Sequence, residues 1–156
     1  MTRNGKDKAR RGRWAVAAMF LANGFVVGSW APQIPLVLSR LGISETVLGL
    51  LILGFGLGAL VAMPWCGWLM SRHGSRAVLR VFAVLTALAL PVVALSPTLW
   101  AAAPAMFFLG GVVGAMDVAM NTNAVTVEKR LGRAIMSSSH GFWSLGGFFG
   151  GALGGL

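Results

Sequence analysis

All but one of the 13 Lys and Arg residues in this chain fall into three short clusters divided by long apolar stretches. The first holds Arg3, Lys6, Lys8, Arg10, Arg11 and Arg13. The second holds Arg72, Arg76 and Arg80, and the third Lys129, Arg130 and Arg133; Arg40 stands alone. Each interval, roughly 50–60 residues, accommodates two bilayer crossings of about 20 residues and a turn. Cytoplasmic loops collect Lys and Arg, and an even number of crossings returns a chain to its starting side. All three clusters are therefore predicted on the inner face of a membrane, with the N-terminus cytoplasmic.

Composition excludes the main alternatives. The chain is 56% hydrophobic and 11% charged, with a mean hydropathy of +0.77, whereas a soluble domain carries roughly 25% charged residues. A formal charge of +9 invites a nucleic-acid reading, but the basic residues border apolar runs and are not interleaved with aromatics on one face. Lipid headgroups are the natural partner of such flanks, and no nucleic acid is expected. The apolar run over residues 14–38 is too long for the core of a secretory leader. Cys66 lies alone inside an apolar run, as a small packing residue.

The expected fold class is an all-α polytopic membrane protein. A basic cytoplasmic tail covers residues 1–13 and a transmembrane bundle covers residues 14–156. Spans are predicted at about 14–38, 46–70, 77–95, 100–122 and 137–156. Pro32 and Pro35 are expected to kink the first, Ser44 followed by Glu45 marks the start of the second, and Trp65 and Trp68 suit its headgroup boundary. Ser96-Pro97-Thr98 forms an uncharged outer turn. The fifth span ends on Gly-Gly-Leu without polar flanks, so the chain is expected to be truncated.

The loop after span two reads Gly67-Trp-Leu-Met-Ser71-Arg72-His73-Gly74-Ser75-Arg76. It resembles the signature loop of the major facilitator superfamily, G-x-x-x-D-R-x-G-R-[RK], which joins helices two and three on the cytoplasmic side. Ser71 stands where that family has Asp. In physical terms, Gly67 allows another helix to approach, Gly74 allows a tight turn, and Arg72 and Arg76 can bridge to carboxylates or helix C-termini to close the inner side. The stretch Glu128-Lys-Arg130-Leu-Gly132-Arg133-Ala134 is similar to the family's loop between helices four and five; Glu128 is placed to pair with Arg72 or Arg76, or with a neighbouring base. Gly110 and Gly114 are candidate helix-packing positions, and Gly146, Gly150 and Gly154 form a small-residue packing pattern. It is similar to the family's helix-five motif, with Gly151 in place of its Pro.

One carboxylate lies within a span. Gly110, Gly114, Asp117 and Asn121 fall on one helical face, predicting a groove floored by glycine with a carboxylate and an amide above it. Ionisable groups at membrane depth mark function. Asp117 is therefore a candidate proton carrier or ligand for a cationic or hydroxyl-bearing solute. By resemblance, helices one and four line the substrate path. Asp117-Val-Ala-Met-Asn121 also looks like the acid-x-x-x-Asn element of fucose-permease-like proton symporters, whose helix-one acid has no counterpart here. Asn23 and Trp30 share a face of span one and could bond and stack on a solute. Gln33 is a further amide and His140 a further titratable group.

The residues at 137–140 do not form a hydrolase constellation. There is no metal-ligand or phosphate-loop spacing, so no enzyme activity, cofactor or metal is expected. The resemblance implies helices one to five of the six-helix N-terminal half of a transporter. That protein would move a small solute by alternating access across a bacterial inner (plasma) membrane, using an ion gradient for which protons are one candidate. It would do so only together with the missing C-terminal half. The alternative is a small membrane assembly protein that uses the same glycine faces to bind partners.

Overall fold

The computed structural model describes residues 3–154, with side chains from Arg10 onward. The expected end of the fifth span at 156 lies outside the described residues. Six α-helices follow in order, joined by short connections. They are α1 (Arg3–Trp30), α2 (Ile34–Leu41), α3 (Glu45–His73), α4 (Ser75–Ala94), α5 (Leu99–Leu131) and α6 (Met136–Gly154). Among the described residues there is no strand.

The first span differs from a single kinked helix. A 3-10 turn over Ala31–Gln33 separates α1 from α2, because Pro32 and Pro35 lack the N–H groups that an α-helix would use there. The basic tail is not a separate segment either: its backbone is already helical from Arg3 and runs into the span. Ser44 caps α3, its hydroxyl accepting from the Val47 N–H at 3.4 Å. Thr98 caps α5 in the same way, accepting from Ala101 N–H at 3.3 Å. Gly74 ends α3 and begins α4 at φ +78°, ψ 148°, a backbone region essentially closed to residues with a Cβ.

The fourth helix overruns the predicted boundary at 122. It continues for about two and a half further turns because its polar residues do not interrupt it. The Thr122 and Thr126 hydroxyls donate to the carbonyls of Val118 and Thr122, at 2.9 and 3.0 Å, so neither competes for the backbone N–H groups. At 33 residues, α5 is about 50 Å long and exceeds the ~30 Å hydrocarbon core.

Among the described residues, four helices are long and apolar enough to cross a membrane: Arg10–Leu41, Glu45–His73, Ser75–Ala94 and Leu99–Leu131. The predicted fifth, α6, is helical but glycine- and serine-rich, and falls outside that set. Its partner explains how it is held. α6 packs most extensively on α1, α3 packs on α5, and α4 leans on α5.

Both tight pairs are glycine contacts. A Cβ on Gly110 would overlap the Phe55 carbonyl of α3, and one on Gly146 would overlap the Leu21 carbonyl of α1. Between helices in lipid there is no hydrophobic driving force, so such close backbone approach supplies the van der Waals contact that holds the pair. Two buried clusters fill the interior. Phe20, Met116, Met120 and Ile135 lie toward the basic-loop end, and Leu51, Val93, Met106 and Leu109 toward the other. Large apolar side chains remain exposed outside, among them Trp100 at 86% and Leu60 at 66%, as suits a surface solvated by lipid.

Candidate functional site

The acid at membrane depth sits on α5, the helix that contacts α1, α3, α4 and α6. Asp117 and Asn121 are half-buried and bonded to each other. Asn121 Nδ2 donates to Asp117 Oδ1 at 3.2 Å and to the Asp117 carbonyl at 2.9 Å. One turn of helix is the cause, since residues four apart face each other. His140 of α6 lies within electrostatic reach of Asp117. Its ring packs edge-on against Phe20 of α1, with centroids 5.1 Å apart.

The glycine-floored groove is not open along its whole length. Gly110 and Gly114 are buried and covered by Phe55 and Ala59 of α3. They are helix-packing residues, and only Asp117 and Asn121 retain partial exposure. The cause is that a flat glycine surface attracts a helix more strongly than it holds a cavity open.

Each amide of the first span makes one bond to α6. Asn23, 2% exposed, accepts from Trp143 Nε1 at 2.9 Å, which pins α6 to α1. Gln33 Nε2 donates to the Gly154 carbonyl at 2.7 Å, tying the far ends of the same helices. Trp30 has a different environment. It lines an apolar cavity of about 250 Å³ with Val26, Phe55, Met106, Leu109 and Val113. Helical spacing puts Met106, Leu109 and Val113 on the same side of α5 as Asp117 and Asn121. The apolar cavity and the carboxylate therefore follow one another down one helix face, about 6 Å apart along the axis from Val113 to Asp117. The structure thus gives Asn23 and Trp30 separate surroundings.

The inner loops depart from the predicted pairing. Glu128 pairs with neither Arg72 nor Arg76. Its Oε2 accepts from the backbone N–H groups of Ile135 and Met136 at 2.7 and 3.1 Å. The first N–H groups of a helix have no partner of their own and carry partial positive charge; Glu128 supplies both the oxygen and the counter-charge to α6. Removing it, as Glu128→Ala, is expected to destabilise the bundle by about 1–2 kcal/mol. A lower unfolding midpoint of the purified chain, with faster amide exchange confined to the start of α6, is the expected result.

Arg72 instead lies over the Trp68 ring, 4.7 Å from its centroid. The Ser71 hydroxyl donates to the Trp68 carbonyl at 2.7 Å. Arg76, Lys129, Arg130 and Arg133 are exposed. Gly67 touches no second helix: the space a Cβ would occupy is open, because this side of α3 points away from the bundle.

Three contacts were not foreseen from the sequence. Arg13 Nη2 donates to Ser138 Oγ at 2.7 Å, joining the base of α1 to the start of α6. Arg40, the isolated basic residue, donates to the Ala94 carbonyl at the end of α4, where a cation suits the helix C-terminus. Trp143 is the partner of Asn23. The only available signal for Trp143 was that it lies one turn before Gly146 and Gly147.

Comparison with known proteins accords with this architecture. The family model described as Major Facilitator Superfamily matches residues 16–156. An uncharacterized MFS-type transporter of Yersinia pestis is 42% identical over 85% of this chain and 34% of its own length. The uncharacterized transporter y4wD of Sinorhizobium fredii is 40% identical over 88% of this chain and 36% of its own. Membrane protein MosC of Rhizobium meliloti is 34% identical over 85% and 32%. No solved structure matches. The chain belongs to the Major Facilitator Superfamily, and it spans about a third of the length of these curated relatives.

Proposed function

We propose that this chain is the N-terminal bundle of a secondary active transporter. It would move a small solute across a bacterial inner membrane by alternating access, coupled to an ion gradient, with protons as the coupling ion. The two relatives named as transporters support the class, and the half-buried Asp117–Asn121 pair on the central helix carries the coupling part of the reading. Asp117 is the one carboxyl away from the helix ends in the described spans, and its placement beside the Trp30 cavity suits a solute with an apolar part and a cationic or hydroxyl-bearing end. In this reading α6 is a fifth crossing held against α1, the basic loops and the N-terminus are cytoplasmic, and a second half completes the path.

The test is flux in proteoliposomes holding the full-length product. An imposed pH difference is expected to drive solute accumulation with no ATP present. Accumulation that requires ATP, or that ignores the gradient, contradicts the reading.

A further inference from the structure

A lateral groove of about 810 Å³ lies between α3, α4 and α5. It plays no part in the site above. Its walls are almost wholly carbon, with Trp65, Leu69, Val81, Phe82 and Phe107 among them, and it reaches His73 at one end. Its depth is informative. The α3 wall runs from Gly58, at the middle of that helix, to His73 at its inner end. That is about 22 Å of helix, the depth of one leaflet of a ~30 Å hydrocarbon core with its headgroup zone.

The His73 end carries one sign of charge. Arg72, next in sequence to the lining residue His73, and Arg76, next to the lining residue Ala77, are both exposed. The acids whose side chains are described are engaged or distant. Glu128 is bound to backbone amides, Asp117 is bonded to Asn121, and Glu45 begins α3 at the opposite end. With Ser71 where a carboxylate stands in the family motif, nothing in this loop neutralises the arginines internally.

We propose that this groove is a binding site for one anionic phospholipid of the inner leaflet. An acyl chain lies along the α3–α4–α5 walls, and the phosphate sits at Arg72, His73 and Arg76. The inference is independent of the solute path, since it uses the opposite side of α5 and none of its polar residues. Each Arg near an anionic headgroup adds about 1 kcal/mol, and guanidinium groups pair well with phosphate oxygens. The apolar walls alone would take any lipid, so the arginines make the selection.

The experiment is native mass spectrometry of the purified chain released from detergent after incubation with phosphatidylglycerol or phosphatidylcholine of identical acyl chains. The expected result is retention of one phosphatidylglycerol in at least about tenfold preference. The double variant Arg72→Gln, Arg76→Gln is expected to abolish the preference. Val81→Trp is expected to reduce retention of both lipids by filling the groove; Val81 is 57% exposed, so the larger ring does not disturb the core. Equal retention of the two lipids, no retained lipid, or variants that bind like the parent would each overturn the proposal.

Discussion

Replacing Gly110 by alanine is expected to push α3 and α5 apart and to unfold the bundle at markedly milder conditions than the parent chain. The added Cβ lands on the Phe55 backbone carbonyl, and a backbone cannot rotate out of the way as a side-chain tip can. Ordinary overpacking costs about 1–3 kcal/mol, and here the whole α3–α5 interface must shift, so the effect lies at or above that range. Gly58, across the same interface, meets the Phe107 carbonyl and should respond likewise. Gly54 is the control. It lies on the same helix as Gly58, one turn away, yet nothing stands within 4 Å of its Cβ position. Gly54→Ala should leave stability unchanged or slightly raised, since alanine favours helix over glycine. Detergent unfolding followed by helical signal separates the two cases. Equal tolerance at positions 54 and 110 would mean that α3 and α5 are not packed backbone to backbone.

The second large effect concerns Asp117→Asn in the full-length product. Asparagine preserves the shape and the hydrogen bond to Asn121 but can neither release a proton nor carry charge. If Asp117 is the coupling group, solute accumulation driven by a pH difference falls to the level of empty vesicles, while downhill exchange of the solute can persist. Transport and pH profile both unchanged would remove Asp117 from the mechanism and leave the pair as a polar contact within α5.

The basic clusters marked loops between successive helices, and Ser44 marked the start of α3, because these signals are local. The partners of individual polar groups were not legible. Glu128 had arginines of opposite charge to choose from, yet two orphan amides lay nearer once α5 and α6 were joined by a short turn. That is a tertiary fact with no sequence signature. The glycines of α3 make the same point. That helix is apolar on every side, so periodicity marks no buried face, and Gly54, Gly58 and Gly67 look alike until α5 is docked. Asp117 stood out because a lone acid in an apolar run is conspicuous. Its neighbours Gly110 and Gly114 pack against α3, as their helix-packing pattern suggests, and the groove they were also expected to floor is filled, because a smooth surface serves a helix as well as a ligand.

The arrangement of the chain across the bilayer is open to direct measurement by thiol labelling in intact and permeabilised cells. The single native thiol is silent, since Cys66 is 0% exposed and its sulfur lies 3.1 Å from the Ala115 carbonyl. Cysteines introduced at the exposed Ser71 and Arg133 should react only when the inner face is reached, and one at Pro97 should react with an impermeant reagent from outside. Positions 71 and 133 labelling from opposite faces would contradict the paired crossings on which the transporter reading stands.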